Sequence, residues 1–178
     1  MGKQLERLTP KLENFISQRH IFFVGTAMKD GRVNISPKGM DTLKVINSNK
    51  VIWLNLTGSG NETATHIQES NRMTIMFCSF EDKPLILRLY GKATVYHPKD
   101  KGFKNNINQF TETVGARQIF ELDIELVQTS CGFAVPFMDF VEERTQLKEW
   151  SVKKGDEGIK NYWKDKNSTS LDGHDTKI

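Results

Sequence analysis

Four residues spaced two apart, Arg32, Asn34, Ser36 and Lys38, carry side chains suited to holding a ligand. Alternate residues of an extended chain project to one side, so a guanidinium, an amide, a hydroxyl and an ammonium would converge along one groove. A phosphate and a carbonyl-rich ring accept from such donors, and the charged ones form the stronger bonds. The same alternation also fits an ordinary solvent-facing strand side. A second cluster lies at Thr57-Gly58-Ser59-Gly60-Asn61-Glu62-Thr63. Glycines let backbone N–H groups come close to a ligand, and a helix opening after them adds unpaired N–H groups and a positive dipole end. Ser59, Asn61 and Thr63 offer hydroxyl and amide contacts, although a plain capped helix after a loose turn has the same composition. The loop has no P-loop lysine and no parallel βαβ unit around it, which argues against a nucleoside triphosphate.

The remaining reactive residue types are scattered. His20, His66, His97 and His174 show no metal-ligand spacing, so no metal is expected. Cys78 falls inside an apolar run and Cys131 precedes Gly132; neither has a basic cluster to activate it. Lys99, Lys101 and Lys104 read as a solvated basic face. With no Ser/His/Asp set and no carboxylate pair, no catalytic acid or base is assigned.

The elements that must position these residues follow from pattern. Thr9-Pro10 opens a short helix over 10–18, with Leu12, Phe15 and Ile16 on one face. Residues 20–27 read as a strand, Lys29-Asp30-Gly31 as a turn, and 32–36 as an alternating strand with Val33 and Ile35 on the opposite face. Strands are predicted over 41–46, 50–56, 72–80, 85–97 and 119–129, with a helix over 61–70. Gly91, inside the 85–97 run, marks a bulge or a barrel bend. Residues 98–118 read as a loop with a helix. Six or seven strands in near-continuous order with one inserted helix argue for an antiparallel barrel, since a parallel sheet would need a helix after each strand.

Two segments follow: a barrel domain over 1–141 and a helical extension over 142–178. Val141, Leu147 and Trp150 are spaced helically, Gly155-Asp156-Glu157-Gly158 interrupts, and Ile159, Tyr162 and Trp163 form a second apolar face. The final NSTSLDGHDTKI has no apolar periodicity. A net charge of +3 over 178 residues is too mild to argue for nucleic acid. No run reaches the length a membrane helix needs, and the first residues hold no apolar signal core, so a cytoplasmic protein is expected.

Taken in order, FFVGTAMKDGRVNISPKG, KVIWLNLTGSGNETATHIQESNRMTIMFC and LRLYGKATVYHP resemble the core of the FMN-binding split barrels of the pyridoxamine 5'-phosphate oxidase family. SCGFAVPFMDFVEERTQLKEW and KKGDEGIKNYW are similar to a related branch rather than to the true oxidase. The resemblance implies a mainly β, six-stranded Greek-key split barrel, homodimeric, with two FMN molecules at the dimer interface. It implies that Arg32, Asn34, Ser36, Lys38, Asn55, Ser59, Gly60 and Asn61 hold the phosphate and ribityl chain. Backbone of Val33, Ile35, Trp53 and Leu54 would line the isoalloxazine, with Arg88 nearby. On this basis Arg32→Ala and Asn61→Ala are both expected to weaken FMN binding. The true oxidase holds its substrate's phosphate with a late arginine-containing segment; no arginine follows Arg144, so turnover of pyridoxamine phosphate is not expected. The function implied is an FMN-dependent oxidoreductase acting with a small-molecule substrate or electron donor. Two alternatives stay open, a non-catalytic flavin carrier or sensor and a haem-binding split barrel.

Overall fold

In a computed structural model describing residues 2–178, the polar-apolar alternation of the first two thirds of the chain becomes one curled antiparallel sheet. Its strands are β1 (Lys3–Leu5), β2 (Phe22–Thr26), β3 (Asn34–Lys38), β4 (Leu43–Asn47), β5 (Lys50–Leu56), β6 (Arg72–Cys78), β7 (Ile86–Tyr96) and β8 (Ala116–Ser130). They are hydrogen-bonded in the order β3-β2-β6-β7-β8-β5-β4, with β1 added to β8. The sheet does not close. β3 and β4 lie at its two ends, although only the Gly39–Thr42 link separates them in sequence. This is the split barrel, with eight strands rather than six. The extra length comes from β1 at the start and from the short β4, both edge strands.

The inner face is filled by Phe22, Val24, Trp53, Ile75, Phe77, Leu87, Leu89, Phe120 and Leu122, each at most 4% exposed. The Trp53 and Phe120 rings stack with centroids 4.8 Å apart. Helix α1 (Pro10–Ser17) contributes Leu12 and Ile16 to this core. Its start is capped by Thr9, whose hydroxyl accepts from the Leu12 N–H, with Pro10 in the first turn. Helix α2 (Glu62–Ser70) follows β5 directly and buries Ala64 and Ile67 in the same core. A second apolar cluster on the other face joins Ile52, Leu54 and Ile119 to Phe103 and Phe110, under helix α3 (Lys101–Asn106).

β8 is the spine, pairing along its length with β7 on one side and with β5 and β1 on the other. Two register shifts bend it. Opposite Tyr90 and Gly91 the pairing jumps from Leu126 to Ile124, so a bulge does fall at the Gly91 step, with Glu125 of β8 as its inserted residue. Opposite Asn55 and Leu56 it jumps from Gln118 to Ala116, so Arg117 is an inserted residue. After β8, residues 131–145 run without regular structure to helix α4 (Gln146–Tyr162). Gly155 breaks α4 with a left-handed φ of 65°, as the Gly155–Gly158 interruption predicts. No helix among the described residues is long and apolar enough to cross a membrane.

Candidate functional site

β3 pairs with β2 so that Lys38, Ser36 and Asn34 lie opposite Phe22, Val24 and Thr26, three buried inward-facing residues. The polar side of β3 therefore faces into the half-barrel, and Val33 and Ile35 face outward. A polar face turned inward is tolerated here because β3 is an edge strand at the split. Across the split stand Trp53 and Asn55 of β5. Between them lies a cleft of about 260 Å³, lined by the β3 side chains Asn34, Ser36 and Lys38, by Trp53, Asn55 and Arg117, and by the glycine loop.

Two cations reach this cleft. The half-buried Lys38 ammonium sits 5.1 Å from the centroid of the Trp53 ring. Burial, and secondly the charge of Arg117, lowers its pKa to about 8. Arg117 is 2% exposed, and burial lowers its pKa to about 10. Its Nη1 donates to Asn167 Oδ1 at 2.6 Å, while its Nε has no partner. Neither cation is paired with a carboxylate among the described residues.

The amides around them are partly engaged. Asn34 Nδ2 donates to Thr63 Oγ1 at 3.2 Å, and Asn55 Nδ2 to Gln118 Oε1 at 3.0 Å. Asn61 stands at the N-cap of α2 yet its side chain caps nothing there; Nδ2 donates to the Asn167 carbonyl and the buried Oδ1 is left without a partner. Glu62 also borders the cleft, but its carboxylate accepts the Leu171 N–H. The fully buried Arg117 and Asn61 thus keep unused hydrogen-bonding atoms, which a buried polar group seldom does without a ligand or water.

Of the residues singled out in the sequence, Asn34, Ser36, Lys38, Trp53, Asn55, Ser59, Gly60 and Asn61 meet in this cleft. Arg32, Val33, Ile35, Leu54 and Arg88 do not line it. Arg32 precedes β3, and its guanidinium and N–H are both taken by Asp172 of the C-terminal segment. Val33 and Ile35 are 70% and 69% exposed on the outer face. Leu54 is buried under α3, and Arg88 donates to Ser130 Oγ in register with the outward Met76. Sequence reasoning missed Arg117, Gln118 and Asn167. Arg117 lies two residues ahead of the strand predicted from Ile119, and only the bulge turns it toward the cleft. Asn167 carries no periodicity that would mark it.

The family model for pyridoxamine 5'-phosphate oxidase matches residues 8–131. A pyridoxamine 5'-phosphate oxidase family protein, ustO of Aspergillus flavus, is 35% identical over 188 aligned residues, covering 94% of this chain and 75% of that protein. This chain belongs to the pyridoxamine 5'-phosphate oxidase family. Solved structures share the fold at low identity. A proposed pyridoxamine 5'-phosphate oxidase from Lactobacillus delbrueckii is 19% identical with a TM-score of 0.56, covering 69% of this chain and 94% of that one. An FAD binding protein from Mycobacterium smegmatis is 10% identical with a TM-score of 0.51, covering 71% and 97%. HutZ of Vibrio cholerae, a heme storage protein, is 19% identical with a TM-score of 0.50, covering 67% and 93%. Within the family's barrel, the cleft described above sits where β3, β5 and the start of α2 converge.

Proposed function

We propose that the cleft binds a flavin by its phosphate end, with FMN as the ligand, and that the protein is an FMN-dependent oxidoreductase. One observation carries the reading: two cations, the half-buried Lys38 and the buried Arg117, share a cleft with the glycine loop and have no carboxylate partner among the described residues. Burying a charge without a counter-charge is costly, and a phosphate would supply one. The N-terminus of α2 adds its dipole and free N–H groups. Family membership and the FAD-binding structural neighbour support a flavin over other phosphorylated ligands.

Each residue then has a task. Lys38 and Arg117 neutralise the phosphate, and the Ser59 hydroxyl with the Ser59 and Gly60 N–H groups hydrogen-bond it; Asn61, whose Nδ2 is held by the Asn167 carbonyl, offers its free Oδ1 to a ribityl hydroxyl. Asn34, Ser36 and Asn55 are placed for the ribityl hydroxyls and ring carbonyls. Trp53 forms an apolar wall that excludes water. A bound flavin supplies hydride or electron transfer, and the protein supplies position and electrostatics. The outward apolar side of β3 is proposed to meet a second copy of the chain.

A flavin carrier without turnover is the second reading. It is favoured because the cleft's one carboxylate, Glu62, is tied to the Leu171 N–H. The test is a visible spectrum of purified protein after adding FMN and desalting. A retained flavin double band, followed by saturable reoxidation of the reduced flavin by a defined acceptor, is the result expected. Protein that neither retains FMN nor quenches its fluorescence overturns flavin binding, and retained but inert flavin selects the carrier.

A further inference from the structure

Asn167 lies just beyond α4, is fully buried, and does not itself line the cleft. It stands behind the glycine loop. Its Nδ2 donates to the carbonyls of Gly58 at 3.0 Å and Ser59 at 3.4 Å. Its Oδ1 accepts from Arg117 Nη1 at 2.6 Å. Its own carbonyl accepts from Asn61 Nδ2 at 3.4 Å and from Thr176 Oγ1 at 2.5 Å. One side chain and one carbonyl thus hold the loop, the buried arginine and the last turn of the chain together.

The consequence follows from peptide geometry. In a planar trans peptide the carbonyl and the next N–H point in opposite directions. Tying the Gly58 and Ser59 carbonyls to Asn167 turns the N–H groups of Ser59 and Gly60 away from it, to the side where the loop borders the cleft. Neither N–H has an acceptor among the described residues. The same Asn167 amide holds Arg117 by one nitrogen and leaves its Nε unpartnered.

We propose that Asn167 is the positioning residue of an oxyanion site, orienting the Ser59 and Gly60 N–H groups and the Arg117 guanidinium onto the phosphate end of the ligand. The proposal rests on the phosphate reading given above. A purely structural asparagine would lower stability on removal without changing which ligand is preferred. A positioning asparagine changes the preference for the phosphorylated ligand over its dephosphorylated form.

The experiment titrates FMN and riboflavin into the full chain by flavin fluorescence, for wild type, Asn167→Ala and Asn167→Ser. Wild type is expected to prefer FMN at least 100-fold. Asn167→Ala is expected to lose FMN affinity tenfold or more while riboflavin affinity stays within twofold, with Asn167→Ser between the two. A folded variant that keeps the wild-type preference overturns the proposal. Wild type that binds both ligands equally overturns the phosphate reading itself, a distinguishable failure. Hydrogen exchange on wild type provides a test independent of variant folding. FMN, but not riboflavin at equal saturation, should slow exchange in residues 163–170, and equal protection by both overturns the proposal.

Discussion

Two arginines with unequal prospects in the sequence have exchanged roles in the structure. Arg32 was the more visible, at the head of an alternating polar row, yet it spends its guanidinium and N–H on Asp172 at the surface. Arg117 stood in a polar stretch with no pattern, yet it is buried in the cleft with a free Nε. Alternation shows which residues share a face; it cannot show a counter-ion arriving from 140 residues away or a bulge re-aiming a side chain. Arg117→Ala is therefore expected to cost FMN binding about 1.5–3 kcal/mol, the worth of a hydrogen bond to charge. Arg32→Ala should leave FMN affinity nearly unchanged, because its guanidinium is held by Asp172 outside the cleft. Paired titrations check this, and equal losses would mean that Arg32 leaves Asp172 for the ligand. Lys38 adds a pH dependence. Its folded pKa of about 8 lies below the ordinary 10.5, so the charged form is disfavoured in the free cleft. That penalty on folding is complete below pH 8 and is relieved as pH rises from about 8 to 10.5, so this group makes the free protein more stable across that window. Phosphate binding needs the charged form and runs the other way. FMN affinity should be flat near pH 7, then fall up to tenfold per pH unit above about 8, while riboflavin affinity stays level. Lys38→Met should remove that slope, and an unchanged slope would assign the titration to another group.

At the scale of elements, the strands were legible wherever apolar residues alternate or run. β5 was predicted with its observed bounds, and α1, β2, β6 and β7 differ only at their ends. The losses were at strand ends whose residues are polar for a local reason. β8 starts at Ala116 rather than Ile119, because Arg117 and Gln118 face the cleft and the Asn55 amide instead of an apolar core. β3 starts two residues later than predicted, because Gly31, with φ of +98°, and Arg32 belong to the turn that meets Asp172. β1 is a three-residue edge strand whose pattern is too short to read. Gly91 was legible as a bulge, and its geometry explains the need for glycine. A Cβ there would stand 1.9 Å from the Asp123 carbonyl oxygen and 3.1 Å from the Ile124 Cα, both backbone atoms that cannot turn aside. Gly91→Ala must open the β7–β8 ladder at the bend that curls the sheet. It is expected to destabilise by about 1–3 kcal/mol or more, as overpacking does. Thermal unfolding measures this. An unshifted midpoint would show that β8 can slide to restore regular pairing.

For the whole molecule, the outer face of the half-barrel is the feature the fold leaves unfinished. Val33, just ahead of β3, and Ile35 protrude beside Phe23, Met76 and Tyr90, around an apolar groove of about 510 Å³. Elsewhere, the irregular segment after β8 leaves Phe133, Phe137, Met138 and Val141 exposed. Single exposed apolar residues are ordinary, but a contiguous set on an edge strand and its neighbours marks an association surface. β3 joins this surface to the site, since its Asn34, Ser36 and Lys38 line the cleft while its Ile35, with Val33 just before it, forms the outer face. A partner covering Val33 and Ile35 would hold β3 in place at the split, where no neighbouring strand does so on its free side. On the proposed dimer and flavin site, association and flavin affinity should therefore be linked. Ile35→Lys places a charge at the centre of the patch without touching the cleft or the inner core. It is expected to shift the protein from dimer to monomer in sedimentation and to weaken FMN binding along with it. Binding that weakens only at protein concentrations below the dimer's dissociation constant would establish the coupling directly. A variant that stays dimeric would place the interface elsewhere, on the 133–141 segment alone. A monomer that binds FMN as wild type does would show that the cleft of one chain is sufficient.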